Sequence, residues 1–509
     1  MCAALVRTLV IWMPSDQMLE NRGLPFEEVL RGNATFDLLR GTLLPFVEYQ
    51  TNHFSGGSLV VSVLALPLFA VFGPVFPVLR MTSLCFSLPL ICLTFALVDR
   101  RYSRRAAWIS ALALAFAPPG YQFLNCTVYG THMEGNLVTL VLVFLFLRRR
   151  EGAGAGFGPT LVLGLLSGFA LWFGYGQTVI LTVLIALEFA ARGWRAWRPS
   201  LAPFVLGFLV GLSPWITYMI RHPDSAFRIY RRSMFDHVAG GGLQVHSFAR
   251  FFTYDGAHAL WLHGADEQVG SVLAHLIFWT LVAVVLASAW QERAGLVAFV
   301  RALCGKRAGF RVSLRLIALL FVGVWTSALI LSDFKTDHDL WVQGYRYLMP
   351  LWPFLAILTG IWIHELRAPF ARRAALAGVC CVLAIHLGAT LLQLRPDRFE
   401  SHADAPAVSR IWHVRMIVLR MGDEPEEMLA IVRRIAARRS DPERTELIER
   451  IAAGLAQVAR HSIRDPASSE HDGVAFSHTL QLLSSEGPEP FRPTFAERLS
   501  ELRAALRPK

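Results

Sequence analysis

Ser332-Asp333-Phe334-Lys335-Thr336-Asp337-His338-Asp339-Leu340-Trp341-Val342-Gln343-Gly344-Tyr345-Arg346-Tyr347-Leu348-Met349-Pro350 is a short polar stretch between two long apolar runs. One run, Leu316–Leu331, precedes it, and the next begins at Leu348. Runs of that kind separated by a charged loop are the pattern of a chain that crosses a bilayer repeatedly. The loop has two readings. Charged and aromatic side chains at a membrane edge act as interfacial anchors. The same residues also suit a rim that binds an anionic, polar ligand at the bilayer surface.

Composition agrees with the membrane reading. The chain has 509 residues, 54% hydrophobic and only 17% charged, too apolar for an ordinary soluble protein. The net charge of +11 does not indicate nucleic acid, because the Arg residues cluster in short loops between apolar runs. Seven Cys lie mostly inside those runs and form neither a metal spacing nor a disulfide framework.

Residues 4–13 are apolar but short of the ~20 needed to span. They read as an interfacial segment or the tail of a helix that begins upstream. A polar, acidic segment runs to residue 57, with a short helix over Ala34-x-x-x-Leu38 closed by Gly41. Ser58–Gly73 is short and broken by Pro67, which favours a re-entrant or interfacial helix. Expected spans are Leu79–Val98, Ala106–Leu124, Val128–Leu147, Thr160–Phe173, Gln177–Ala191, Leu201–Ile220, Ser271–Ala289, Leu316–Leu331, Leu348–Ile363 and Ala374–Leu394. The fold class is therefore all-α: a polytopic transmembrane bundle with a small helical extramembrane region at the C-terminal end. Three parts follow: 1–57, the N-terminal segment and first external loop; 58–394, the membrane module with external loops 221–270 and 332–347; and 395–509, the helical tail. In the tail, 425–439 and 442–460 are amphipathic and 465–492 reads as a Ser/Glu/Pro-rich linker.

Charge orients the bundle. Loops 99–105, 148–156, 192–198, 290–315 and 364–373 are basic and alternate with neutral or mixed loops, so the basic set is expected in the cytoplasm. Loops 221–270 and 332–347 and the tail then face outside. The span interiors carry almost no charge: Glu188 lies near a cytoplasmic end, and His275 and His386 are the other ionisable groups. Coupled transporters keep ionisable groups at mid-membrane. A chain that gathers its charges at one surface is better suited to chemistry there.

The order of short motifs carries a resemblance. Acidic residues precede Ala65-Leu66-Pro67-Leu68-Phe69-Ala70-Val71-Phe72-Gly73 and Leu79-Arg80. A basic, aromatic-flanked turn follows. Gly130-Thr131-His132-Met133-Glu134-Gly135-Asn136 opens a span, and Tyr345-Arg346-Tyr347-Leu348-Met349-Pro350-Leu351 comes late. Over roughly residues 25–395 this resembles the GT-C superfamily of membrane glycosyltransferases, in particular the bacterial members similar to protein mannosyltransferases and to lipid A or lipopolysaccharide-core sugar transferases.

The resemblance implies an integral protein of the bacterial inner membrane. It would transfer a sugar from a polyprenyl-phosphate donor to a lipid or glycan acceptor on the external side. Its partners would be that donor, that acceptor and membrane lipids, with no nucleic acid. A first-loop carboxylate would be the base and rim cations would hold the phosphate. Family members carry an Asp-Glu pair where this chain has Glu27-Glu28, so Glu27 and Glu28 are candidates, with Asp37, Glu48 and Glu134 as rivals. Arg346 is the first choice for the phosphate, then Lys335, Arg231 and Arg232. Tyr345, Tyr347, Trp341 and His132 suit a sugar. No cofactor is required. His and Asp residues in 221–270 leave a divalent metal open, but no compact ligand spacing is present. The rival functions are a polysaccharide polymerase or ligase, a lipid-linked oligosaccharide flippase, and a non-enzymatic scaffold.

Overall fold

Pro118-Pro119 breaks what would otherwise be one long apolar helix. The computed structural model describes residues 2–13, 26–50, 56–128, 131–151, 156–221, 252, 267–305, 311–331, 346–394, 414, 417–418, 421–422, 424–438, 441–464 and 473–506. Among these the chain is helical almost throughout, with no strand. Four helices are long and apolar enough to cross a membrane, and a bent pair makes a fifth crossing if counted as one. The described chain divides into two units, Met1–Leu24 with Asn52–Val60 and Arg80–Ala403, and Pro25–Thr51 with Val61–Leu79 and Asp404–Lys509.

The helices run in this order: α1 Cys2–Trp12, α2 Phe26–Arg40, α3 Gly56–Phe72, α4 Phe76–Arg80, α5 Thr82–Arg101, α6 Arg104–Ala115, α7 Pro119–Cys126, α8 His132–Glu151, α9 Phe157–Phe173, α10 Gln177–Gly211, α11 Ser213–Arg221, α12 Glu267–Gln291, α13 Arg293–Leu303, α14 Leu314–Leu331, α15 Leu351–Glu365 and α16 Pro369–Leu392. In the second unit α17 Pro425–Arg438, α18 Asp441–Arg464, α19 Gly473–Glu486 and α20 Arg492–Leu506 follow.

Several expectations need correction. The span expected over Ala106–Leu124 is two helices, α6 and α7, because a residue before Pro is disfavoured in the helical region while Pro itself starts a helix well. The break expected at Pro67 does not occur: α3 runs through it. The ring removes one backbone donor, and apolar membrane helices tolerate that when neighbours compensate. The linker expected over 465–492 contains α19, where Phe476, Leu480 and Leu483 are buried at helical spacing beneath a Ser-rich surface.

The break after α6 leaves four backbone carbonyls without helical partners among largely buried residues, an arrangement viable only if other donors reach them. Four side chains do. Trp352 Nε1 donates to the Ala113 carbonyl at 3.2 Å. Arg7 Nη2 donates to Leu114 at 3.4 Å, and Gln122 Nε2 to Ala115 at 2.7 Å. His386 Nδ1 lies 3.1 Å from the Phe116 carbonyl, which can only accept, so that nitrogen carries the proton. Its other ring nitrogen, Nε2, is buried and finds no partner among the described residues.

Two motifs join α9 to the second half of α10. Gly164-Leu165-Leu166-Ser167-Gly168 and Gly207-Phe208-Leu209-Val210-Gly211 face one another on parallel segments. A Cβ at Gly164 or Gly168 would strike the carbonyl of Phe204 or Phe208. One at Gly207 or Gly211 would strike that of Leu161 or Leu165. Backbones this close pack by dispersion and weak Cα–H···O contacts, the forces available where no hydrophobic effect operates. Gly168→Val should sharply lower the folded fraction in a size-exclusion assay of detergent extracts. The expected cost is about 3 kcal/mol, the upper end for overpacking, because backbone cannot step aside. Gly158→Ala, facing open space, should leave the elution profile unchanged.

α10 is itself two helices. Gly193 has φ 71° and ψ 164°, a conformation costly for any residue with a Cβ. The expected turn over 192–198 is therefore a single-residue kink. Beside it, Glu188 is buried and pairs with Arg149 at 3.2 Å, Arg150 at 2.7 Å and Arg192 at 3.1 Å. Arg149 also donates to Ser200 at 3.2 Å. Basic residues that read as topology signals in the sequence are here also the ties between α8 and both halves of α10.

Candidate active site

α8 begins at His132 with Thr131 as its cap: the Gly135 amide donates to the Thr131 carbonyl at 2.9 Å. Gln177, first residue of α10, donates Nε2 to the Gly135 carbonyl at 3.0 Å and accepts from Thr139 at 2.8 Å. This pair locks α8 against α10. Gln177 and Thr139 do not stand out in the sequence, because amides and hydroxyls inside apolar runs carry no spacing signal.

The turn Arg346–Leu348 is a single 3-10 turn ahead of α15. Trp325 of α14 donates Nε1 to the Tyr347 carbonyl at 2.8 Å. Asn136 of α8 makes longer contacts to the Met349 carbonyl at 3.5 Å and the Tyr121 hydroxyl at 3.4 Å. So held, Tyr347 meets His132 edge-on with ring centres 4.3 Å apart, and His132 meets Tyr175 at 6.0 Å. The Arg346 guanidinium lies over the Tyr347 ring at 5.0 Å and donates Nη2 to its hydroxyl at 3.1 Å. Arg346, Tyr347 and His132, far apart in sequence, form one cluster. Glu134 is buried in the first turn of the same helix as His132. A carboxylate there is favoured by the helix dipole whatever else it does.

Two cavities adjoin this cluster. One, about 10 Å³, is lined by Thr131, His132, Asn136, Thr139, Gln177 and Trp325, room for a single water. The other, about 470 Å³, has an almost wholly apolar lining that includes Phe278, Val282, Leu319, Val322, Leu348 and Met349. It is of the size that takes a ligand.

The first-loop candidates belong to the second unit. Glu28 is fully buried on α2 and Glu27 half-buried beside it. Asp37 accepts from the Tyr49 hydroxyl at 3.1 Å, and that hydroxyl accepts the Leu43 and Leu44 amides at 2.8 and 3.1 Å. Burial and then the Asp37 carboxylate push the Tyr49 phenol above its usual range, so it stays a donor to Asp37. That bond gives Asp37 a part in holding the turn Phe46–Tyr49. Glu48, in that turn, is fully buried. Lys335, Arg231, Arg232, Tyr345, Trp341 and the His- and Asp-bearing loop 221–270 lie outside the described residues, apart from Arg221, Phe252 and 267–270. Among the described residues no group of His, Cys, Asp or Glu could hold a metal ion.

No family model and no curated protein matches the chain. Two solved structures of ArnT from Cupriavidus metallidurans are similar to it, both at 17% identity over 99% of this chain and 76% of the other. The one bound to undecaprenyl phosphate superposes with a TM-score of 0.48, and the apo one with 0.46.

Proposed function

We propose that the chain is a membrane glycosyltransferase that takes its sugar from a polyprenyl-phosphate donor and acts at the external face of a bacterial inner membrane. One observation carries the reading: the apolar cavity of about 470 Å³ is walled by Leu348 and Met349, immediately after Arg346 and Tyr347. A prenyl chain fits such a wall, and its phosphate would then lie at the Arg346 end.

In this reading the acceptor hydroxyl attacks the anomeric carbon, the carbon–oxygen bond to phosphate breaks, and the phosphate leaves with the electron pair. Arg346 neutralises the charge gained by the leaving group, its planar fork matched to two phosphate oxygens. A carboxylate takes the hydroxyl proton. Glu134 is our first choice, since it shares a helix turn with His132, and Glu28 and Glu48 are the alternatives. The aromatic side chains Tyr347 and His132 offer a face to the sugar ring. The acceptor is a lipid or glycan of the cell envelope, and no metal is assigned a step.

The test is turnover of a polyprenyl-phosphate hexose by the purified chain in lipid nanodiscs. Glu134→Gln should lower kcat at least ~10-fold, roughly 1.4 kcal/mol of barrier, with unchanged thermal unfolding. Full activity in Glu134→Gln, with loss in Glu28→Gln or Glu48→Gln, would move the base to the second unit. Full activity in all three would leave Glu134 a helix-end carboxylate and remove the mechanism.

A further inference from the structure

We propose that Arg7 is a positioning residue that holds the two halves of a broken membrane helix in register and thereby places the start of α8. The proposal builds on the transferase reading only in what α8 is for. Residues 4–13 read simply as a short apolar segment in the sequence, yet Arg7 in its middle is fully buried.

Its contacts straddle the break. Before it, Nη2 donates to the Leu114 carbonyl in the last turn of α6 at 3.4 Å. After it, the Cys126 thiol at the last residue of α7 donates to the Arg7 carbonyl at 3.8 Å. Val10 and Ile11 pack with Phe123 and Cys126 around the same junction. One residue of α1 thus fixes the end of α6 to the end of α7. Five residues beyond Cys126 stands Thr131, the cap of α8, followed by His132 and Glu134.

The charge is suited to its place, since a cation is favoured at the carbonyl end of a helix. The three other freed carbonyls are met by neutral donors, Trp352 and Gln122, and by the His386 ring. Capping by itself therefore does not demand Arg. Gln122, on α7, also bridges to α6 through Ala115; Arg7 adds a second tie from α1, its side chain to Leu114 and its backbone carbonyl to Cys126. Its Nε and Nη1 find no acceptor among the described residues. The contact to Leu114 uses one nitrogen and no fork geometry, so a lysine can replace it.

The experiment uses the full chain in nanodiscs, comparing wild type, Arg7→Met and Arg7→Lys by amide hydrogen exchange and by turnover of a polyprenyl-phosphate hexose. Arg7→Met should speed exchange over residues 131–136 while leaving α14 and α15 protected as in wild type. It should lower kcat about tenfold at unchanged KM for the donor, and Arg7→Lys should stay within about threefold of wild type on both readouts. A purely structural role would instead lower the thermal midpoint and raise exchange throughout the bundle. Unchanged exchange over 131–136 in Arg7→Met, or Arg7→Lys behaving as Arg7→Met, overturns the proposal. If exchange responds as expected while the wild-type chain transfers no sugar, the transferase reading fails and the positioning role stands.

Discussion

Arg346→Lys is expected to lower kcat/KM for a polyprenyl-phosphate donor about a hundredfold, roughly 2.7 kcal/mol, with expression and thermal unfolding near wild type. The guanidinium carbon lies 5.0 Å from the Tyr347 ring centre, and Nη2 donates to the hydroxyl 3.1 Å away. A lysine ammonium keeps the charge but offers neither the stacking plane nor two parallel donors. The turn itself survives, because Trp325 and Asn136 hold it through backbone carbonyls. An Arg that merely anchors the loop at the lipid headgroups would tolerate lysine, since both side chains snorkel. Wild-type kinetics in both Arg346→Lys and Arg346→Ala would reduce the turn to a membrane edge and take the phosphate site with it.

Glu188→Gln should cost about 3–5 kcal/mol, visible as a large fall in the thermal midpoint in detergent, with little effect on any binding step. The Glu188 side chain is 4% exposed and that of its partner Arg149 equally so, and the substitution leaves a buried guanidinium without its counter-charge. Arg150 and Arg192, 21% and 24% exposed, would then repel it across a space that the carboxylate now fills. Glu446→Gln is the comparison. Its pair with Arg450 is four residues apart on α18 and largely solvated, and such pairs contribute at most ~0.5 kcal/mol. Equal shifts in the two variants would show that burial adds nothing to the Glu188 cluster.

The sequence is most legible where a single periodicity or charge pattern acts alone. Apolar run length marks most of the membrane helices, and Arg148-Arg149-Arg150 and Arg192 mark one set of ends. Glu134, His132, Arg346 and Tyr347 stand out in the sequence as site residues, and the structure draws the last three together. What the sequence hides are features that exist only between segments. The Gly164/Gly168 and Gly207/Gly211 faces look like ordinary small residues until the partner backbone lies against them. Arg7 looks like a stray charge in a short helix, because its acceptor at Leu114 is 107 positions away. Gln177 meets Gly135 and Thr139 only after α8 and α10 have packed. α19 is masked by Ser-rich composition, which outweighs three well-spaced apolar residues.

The broken helix also sets an order of events during synthesis. Its four exposed carbonyls are closed by residues 7, 122, 352 and 386, so the ribosome must pass the last of these before the set is complete. Until then the Phe116 carbonyl needs water, lipid headgroups or the insertion machinery as a temporary partner, since none is available within the bilayer. Closure is thus delayed until α16 has entered the membrane, and the bundle is sealed from its C-terminal side. A nascent chain arrested before His386 should hold α6 and α7 in the membrane yet leave a cysteine introduced by Ala117→Cys open to a small thiol reagent. Release of the arrest should close that site in one step.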